Sequence, residues 1–547
     1  MSRRIRERID EKLDAETGTV YKDPGGRINV ALCYPNYYSL GMSNLGFQGI
    51  YGMLNGMNGV VCERVFLPDS DDMREYGRSG VRLMSMESKR PLAEFHAVAF
   101  SVSYENDYPA ILAMLDLAGI PRRVSHRNGS HPLVLLGGIC AAYNPEPLAD
   151  FFDVVFVGEA EKSIHRFIEM LEAGDGGRAA LLAGLAGVEG VYIPSLYRET
   201  YGSDGAFMSK AATCGAPETV RRGHPADLDE TRLSTVVSTG NTEFSRMCLI
   251  EAMRGCPWSC RFCVVSYVYR PVRYRSREVL EGMITESAGR FPKVGLVGPS
   301  VSDYRWIEEI IKREGVKFSV SSLRAWGRSV PLIKALAERG QKSLSIAIEA
   351  GTERLRGVIR KRITEADILE TAGLILDEGI AQLRLYFMIG LPTETAEDIE
   401  AIPELVNRIR ELNRSGSIVV SVNPLVPKPF TPFQWLAMDS EDELKKKLDS
   451  IKKLLKGVPS VSVVNDSLKR VCMEAFLARG DRRVSHAIEA IASGGDWRKA
   501  ARGAGCDPDI HIHRARPFES PLPWEFIDIG TPKDRLETEC RKALGGE

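Results

Sequence analysis

At 547 residues, with 44% apolar and 27% charged side chains, the chain has an ordinary globular balance and enough length for roughly three domains. A net charge of -1 excludes a global electrostatic draw to nucleic acid or anionic lipid. No apolar run approaches the ~18–20 residues of a spanning helix. The basic start Met1-Ser2-Arg3-Arg4 has no apolar stretch behind it, so no secretory signal is expected. The expected setting is cytoplasmic and reducing, where the 11 cysteines need not pair.

Residues 1–25 read as a charged helical arm closed by the turn Asp23-Pro24-Gly25-Gly26. Short apolar strands are predicted at 28–33, 60–66, 97–103, 133–138 and 153–158. Helices lie between them, one carrying Phe47, Ile50, Tyr51 and Leu54 on a single face. Continuous apolar strands alternating with helices predict a doubly wound parallel α/β sheet over 26–175, covered on both faces. Ligands of such sheets sit at the strand carboxyl ends. Pro35-Asn36, Ser101, Ser103, Gly137, Gly138 and Glu159 fall there, although glycines after strands also serve simply as tight turns. Residues 176–244 are irregular and read as a linker with connecting hairpins, including the turn Tyr201-Gly202-Ser203-Asp204-Gly205.

A second alternating pattern begins near Ser245, with strands predicted at 247–251, 293–298, 316–320, 342–349, 382–390 and 417–423. Thr364-x-x-Asp367 and Thr395-x-x-Asp398 are capping boxes that open helices. Six β/α repeats predict a partial barrel over 245–440, with ligands gathered at the strand carboxyl ends. Gly298-Pro299-Ser300 follow the second strand, Glu349 ends the fourth, and Ile389 lies at the end of the fifth. Backbone groups and the Ser300 hydroxyl can meet a carboxylate or an ammonium, and the Glu349 carboxylate can accept two vicinal hydroxyls. An ion pair to Arg354 or Arg356 is the plain alternative for Glu349, and core packing for Phe262. Arg324, Arg384 and Tyr386 face either a substrate or the barrel interior. The proline-rich stretch 424–435 reads as an ordered strap. Residues 441–547 read as a mostly helical C-terminal region, in which Asp481 is expected to pair with a neighbouring arginine. On a strand, His511 and His513 would share a face, a weak metal candidate.

The most specific stretch is the loop Gly255-Cys256-Pro257-Trp258-Ser259-Cys260-Arg261-Phe262-Cys263. Its three cysteines are spaced so that their thiolates can turn toward one small object. Three thiolates leave one iron of a four-iron cubane without a protein ligand, whereas a ferredoxin supplies four. A metal position left open is built to bind a substrate. A structural zinc would want a fourth ligand, and no Cys, His, Asp or Glu follows the loop through Arg275.

This loop, with Phe262 just before the third cysteine, resembles the signature of the radical S-adenosylmethionine (radical SAM) superfamily. The resemblance implies a 4Fe-4S cluster on Cys256, Cys260 and Cys263, whose open iron chelates the methionine part of S-adenosylmethionine. Reductive cleavage then gives a 5′-deoxyadenosyl radical, with an electron donor such as flavodoxin or ferredoxin. It also implies an open six-stranded barrel. Phe262 and Ile389 would lie toward the adenine, Gly298, Pro299 and Ser300 at the amino group, and Glu349 at the ribose. This chain has Gly-Pro-Ser where many members have Gly-Gly-Glu.

Residues 26–175, through Gly137-Gly138, Pro145-Glu146 and Val157-Gly158-Glu159-Ala160-Glu161, resemble the cobalamin-binding-type domain preceding the barrel in one branch of that superfamily. The domain order resembles a group in that branch without assigned function. The resemblance implies cobalamin contacts at Ser101, Ser103, Gly137, Gly138 and Glu159. The Asp-x-His-x-x-Gly motif that supplies an axial histidine is absent, replaced by Pro35-Asn36-Tyr37-Tyr38-Ser39-Leu40-Gly41. The function implied is hydrogen abstraction from an unactivated carbon, with C- or P-methylation where cobalamin binds. Two alternatives stay open: a methylthiotransferase with a second cluster on Cys33, Cys62 and Cys140, and a non-catalytic iron–sulfur redox or sensor protein. The substrate and any catalytic residue beyond the cofactor contacts are not legible in the sequence.

Overall fold

The computed structural model describes residues 3–174, 176–203, 205–320 and 322–545. Met1 and Ser2 of the arm, Asp175 in the glycine-rich stretch and Asp204 of the predicted turn lie outside the described residues. Two compact units form. One comprises Met1–Met247, Phe476–His511 and Glu519–Gly530, and the other Cys248–Ala475, Ile512–Phe518 and Thr531–Glu547. Residues 441–547 are thus divided between the two.

In the first unit, β1 (Ile28–Tyr34), β2 (Val60–Phe66), β3 (Ala97–Ser101), β4 (Leu133–Gly137), β5 (Val154–Phe156) and β6 (Val191–Tyr192) form one sheet in the order β2-β1-β3-β4-β5-β6. All neighbours are parallel except β5 and β6. Nearly every residue of β1 and β2 is buried, because helices cover both faces. On one face Val30, Leu32, Cys62, Leu135 and Phe156 share a core with Phe47, Tyr51 and Leu54 of α1 (Leu45–Gly56). Ile164, Phe167 and Ile168 of α3 (Glu161–Ala173) complete that core; α2 (Tyr108–Ala118) follows β3. Strand order reverses between β1 and β3, the switch point at which doubly wound sheets place ligands.

The segment read as linker is more ordered than its composition suggests. It carries α4 (Gly177–Leu185), β6, and an antiparallel hairpin of Tyr197–Tyr201 with Phe207–Ala212. Buried charge holds it. The fully buried Glu146 carboxylate accepts from Lys210 at 2.6 Å, Arg482 at 3.1 Å and the Tyr192 hydroxyl at 2.6 Å. Lys210 also reaches Glu199 at 3.0 Å. Asp481 pairs with Arg483 at 2.6 Å, as its sequence neighbourhood suggests.

In the second unit, β7 (Met247–Glu251), β8 (Lys293–Val297) and β9 (Phe318–Val320) are neighbours in that order. So are β10 (Ser343–Glu349), β11 (Gln382–Ile389), β12 (Ser417–Pro424) and β13 (Val461–Val464). A parallel bridge from Leu323 to Ile346 joins the two groups. The run therefore has seven strands among the described residues, one more than the six expected. The seventh, β13, follows α7 (Glu441–Leu455) in the stretch read as helical, and pairs parallel with β12. Both predicted capping boxes are present, opening α5 (Glu365–Asp377) and α6 (Ala396–Leu412). The strap carries a short helical turn, Pro432–Trp435, with Phe433 and Trp435 buried. His511 lies on the short helix Pro508–Ile512, not on a strand, and His513 Nδ1 sits 3.0 Å from the Met438 carbonyl, so no histidine pair forms. Among the described residues no helix is long and apolar enough to cross a membrane.

Removing one member of a buried ion cluster leaves the others without compensation, typically at a cost of about 3–5 kcal/mol. Glu146→Ala is therefore expected to lower the unfolding midpoint of the first unit sharply. Thermal unfolding followed by circular dichroism checks this, and an unchanged midpoint would contradict it.

Candidate functional site

The cysteine loop leaves the barrel just past the end of β7. Met253–Arg254 pairs antiparallel with Arg273–Tyr274, which closes the loop at its base. Gly255 sits at φ 80°, and a Cβ there would lie 2.4 Å from the Tyr269 carbonyl oxygen, so only glycine fits. Ser259 is also left-handed, at φ 53°. The Tyr267 hydroxyl donates to the Ser259 carbonyl at 3.2 Å, and Arg270 donates to its hydroxyl. Arg261 fixes the far side. Its N–H donates to the Ile359 carbonyl at 3.0 Å and its guanidinium to the Val358 carbonyl at 2.6 Å and to Glu539 at 3.1 Å.

Cys256 and Cys260 are 8% and 6% exposed, and Cys263 is half-buried. Burial pushes the Cys256 thiol up, and pushes Cys260 up to about 11. Buried thiols resist ionisation unless a cation is supplied, and a coordinated metal supplies it. Among the described residues no three His, Cys, Asp or Glu side chains gather tightly enough for a single metal ion. A cubane spreads its irons over a wider sulfur triangle and needs three thiols on one loop with one iron open. The donor set fits that group.

Three further residues, Lys361, Arg324 and Asp303, surround the loop, and of these the sequence offered only Arg324, as a substrate candidate. Lys361 Nζ lies 3.0 Å from Glu349 Oε1. Burial lowers the Lys361 ammonium, but Glu349, and Cys260 after it, more than offset this and hold it above its ordinary value. Glu349 thus pairs with Lys361, not with Arg354 or Arg356. Arg324 stacks over Trp258, with Cζ 3.6 Å from the ring centroid, and donates to the carbonyls of Lys361 and Arg362. Asp303 accepts from Trp258 Nε1 at 2.5 Å and from the Ser300 hydroxyl at 2.5 Å. The Ser300 hydroxyl is therefore engaged in holding the loop. Asp303, three residues later, brings a carboxylate where Gly-Pro-Ser lacked one.

Phe262 packs with Met388 against a core of Ala350, Leu355, Ile359, Leu391 and Phe433. The Ile389 side chain points to the packed face of β11, fully buried, and its carbonyl accepts from Leu425 N–H at 2.9 Å. Its side chain therefore does not line the strand-end site. Gly298 and Pro299 follow β8, where a Cβ on Gly298 would meet Met253 Cγ at 2.4 Å. Among the described residues, five of the ten non-glycine residues with left-handed φ are Ser259, Glu349, Arg360, Arg362 and Thr393. Such backbone gathers where a site constrains the chain.

In the first unit, Ser101, Gly137 and Gly138 line a cavity of about 60 Å³ with Leu32, Phe156 and Phe167. The space beside Gly138 belongs to its own chain: φ is 99°, and a Cβ would lie 2.3 Å from the Val102 carbonyl oxygen. The Ser103 hydroxyl accepts from Asn44 at 3.1 Å, and Glu159 pairs with Arg222 at 3.5 Å. A cavity of about 150 Å³ is what one benzene ring occupies, so these residues as placed do not fit cobalamin. Cys62 shares a sheet face with its partner Val30, whereas Cys33, three residues beyond Val30, points to the other face. They cannot serve one cluster.

Residues 46–194 match the family described as radical SAM proteins, N-terminal, and residues 250–406 match the radical SAM superfamily. The chain belongs to the radical SAM superfamily. The uncharacterized protein MJ0966 of Methanocaldococcus jannaschii is 31% identical over 469 residues, covering 84% of this chain and 90% of its own. The threonylcarbamoyladenosine tRNA methylthiotransferase MtaB of Aquifex aeolicus is 24% identical over 211 residues, and the match spans 36% of this chain and 50% of that relative. Among solved structures, the cobalamin-dependent S-adenosylmethionine radical enzyme OxsB with aqua-cobalamin bound superposes with a TM-score of 0.46 at 15% identity, over 69% of this chain and 52% of that one.

Lys361→Met strands the Glu349 carboxylate and is expected to cost about 3 kcal/mol. Adding Glu349→Gln should restore at least half of it. Denaturation of the single and double variants checks the pair, and additive losses would show that the two do not interact.

Proposed function

We propose that the chain is an enzyme that reductively cleaves S-adenosylmethionine at a 4Fe-4S cluster held by Cys256, Cys260 and Cys263. The observation that carries this reading is a three-thiol loop, with no fourth ligand among the described residues, set beside the largely buried Lys361–Glu349 pair. When bound, cluster and cofactor supply the electron that breaks the sulfonium and the 5′-deoxyadenosyl radical that follows. The chain's own residues bind and orient. The Lys361 ammonium is suited to the methionine carboxylate, the Asp303 carboxylate to the amino group, and Glu349 to the ribose hydroxyls. Phe262 and Met388 give the adenine side an apolar wall. A small cytoplasmic redox protein, flavodoxin or ferredoxin, is the electron donor of this reading.

Cys260→Ala is expected to lose the cluster's visible absorbance and all S-adenosylmethionine cleavage; retained cleavage would overturn the assignment. Iron analysis of the reconstituted wild type should give about four irons per chain, the content of one cubane. About eight would favour the methylthiotransferase reading, which the opposite orientations of Cys33 and Cys62 oppose.

Cobalamin-dependent methyl transfer is the second reading. It is favoured by the position of Ser101 and Gly137 at the carboxyl ends of β3 and β4, beside the switch point of the sheet, and opposed by the small cavity there, which would have to widen. Anaerobic titration with hydroxocobalamin, followed by desalting, decides it. Stoichiometric retention supports methyl transfer, and no retention by folded protein removes it. A bulky residue at Gly138 is a poor control, since it would disturb the fold first.

A further inference from the structure

Strand β11 has two unlike faces. Leu383, Leu385, Phe387 and Ile389 are fully buried. Between them Arg384 and Met388 are half-buried and Tyr386 is 36% exposed, facing the opposite, concave side of the sheet. The parallel register sets Arg384 between Ser345 and Val419, and Tyr386 between Ala347 and Ser421. These neighbours are small and uncharged, which leaves room over the guanidinium.

Arg384 makes no ion pair or hydrogen bond among the described residues, and neither does the Tyr386 hydroxyl. Other arginines of this unit are engaged: Arg261 with Glu539, Arg275 with Glu251, Arg324 with two carbonyls, Arg354 with Asp398 and Arg356 with the Ala350 and Gly351 carbonyls. Withdrawing a cation from water without a partner is unfavourable. A planar guanidinium with free donors matches an oxyanion in two-point geometry. Phe387 stands opposite Glu349 in the register, three residues beyond Arg384. Three strand residues span about 10 Å.

We propose that the concave face of β10 to β12 is the substrate site, and that it takes a small molecule bearing a carboxylate or phosphate group. Arg384 grips the oxyanion, the Ser345 and Ser421 hydroxyls flank it, and Tyr386 lies along the path toward the strand ends. This rests on the cleavage reading above, because it places the reacting carbon between the anchored anion and the Glu349 end of the site.

The test is anaerobic calorimetry on the reconstituted full-length protein, titrated separately with sodium phosphate and sodium acetate at low ionic strength. Wild type should bind at least one of them saturably. Saturation by phosphate alone identifies a phosphate group, and by acetate alone a carboxylate. Arg384→Gln should weaken that binding by about tenfold or more, as expected for loss of a two-point charged contact. Arg277→Gln, on the outer helix Arg277–Ala288, should leave it unchanged. Should Arg384→Gln fail to fold, phenylglyoxal labelling of wild type gives the same decision: modification at Arg384, suppressed by the anion that binds, supports the site. No saturable binding, equal binding in Arg384→Gln, or labelling that the anion leaves untouched would overturn it. S-adenosylmethionine cleavage by wild type is measured in parallel, so loss of the cleavage reading is seen separately from loss of the anion site.

Discussion

The second unit depends on a charge arrangement that water would not favour. An ammonium, a carboxylate and two buried thiols lie together at the ends of β7 and β10. Burying Lys361 and Glu349 costs more than a surface pair would, and their attraction repays it only with the geometry held tightly. The surrounding backbone shows how it is held. Arg360 and Arg362 flank Lys361 in left-handed conformations, and Glu349 is left-handed at an irregularity in the β10–β11 register. Arg324 donates to the carbonyls of Lys361 and Arg362, fixing the turn that presents the ammonium. Through its stack on Trp258, Arg324 links that turn to the cysteine loop, and Trp258 passes the link to Asp303 and Ser300.

The first unit follows a different logic. Its strand ends are tied mainly to their own chain. Gly138 packs against the Val102 backbone, and Glu159 N–H donates to the Gly223 carbonyl while its carboxylate meets Arg222. Glycine there is required by close backbone approach, as at Gly255 in the cysteine loop. The difference lies in the neighbouring side chains: at Gly255 the loop that follows carries three thiols, and at Gly138 the neighbouring polar groups are tied to their own chain. A glycine motif alone therefore says little about whether a ligand or the protein fills the space.

Sequence reasoning reached whatever is encoded locally. The apolar runs of β1 to β5 and both threonine–aspartate capping boxes are short-range patterns, and their positions agree with the structure to within two residues. The cysteine loop is legible for the same reason, since ligand spacing is local. Lys361, Asp303 and the role of Arg324 were not legible, because each acts through a partner tens of residues away. Strand parity places the Ile389 side chain on the packed face, which a strand-end motif alone does not reveal. The hairpin after residue 196 was legible from its turn, Tyr201 to Gly205, whereas β13 escaped notice because four residues, one of them a serine, do not make a continuous apolar stretch.

Parity also divides the labour within the second unit. On β11 the odd-numbered residues from Leu383 to Ile389 are uniformly apolar and buried, so hydrophobic packing accounts for them. The even-numbered residues on the concave face are an arginine, a tyrosine and a methionine, beside serines and an asparagine on the adjoining strands. Closing the sheet needs none of that polarity; a barrel interior filled for stability alone would carry branched aliphatic side chains in layers. Keeping an uncompensated cation and free hydroxyls there forgoes packing energy, and proteins hold such sacrifices at positions that meet a ligand. On the proposed reading the strand ends carry the groups suited to a reactive cofactor, and the inward face of β11 carries those suited to recognition.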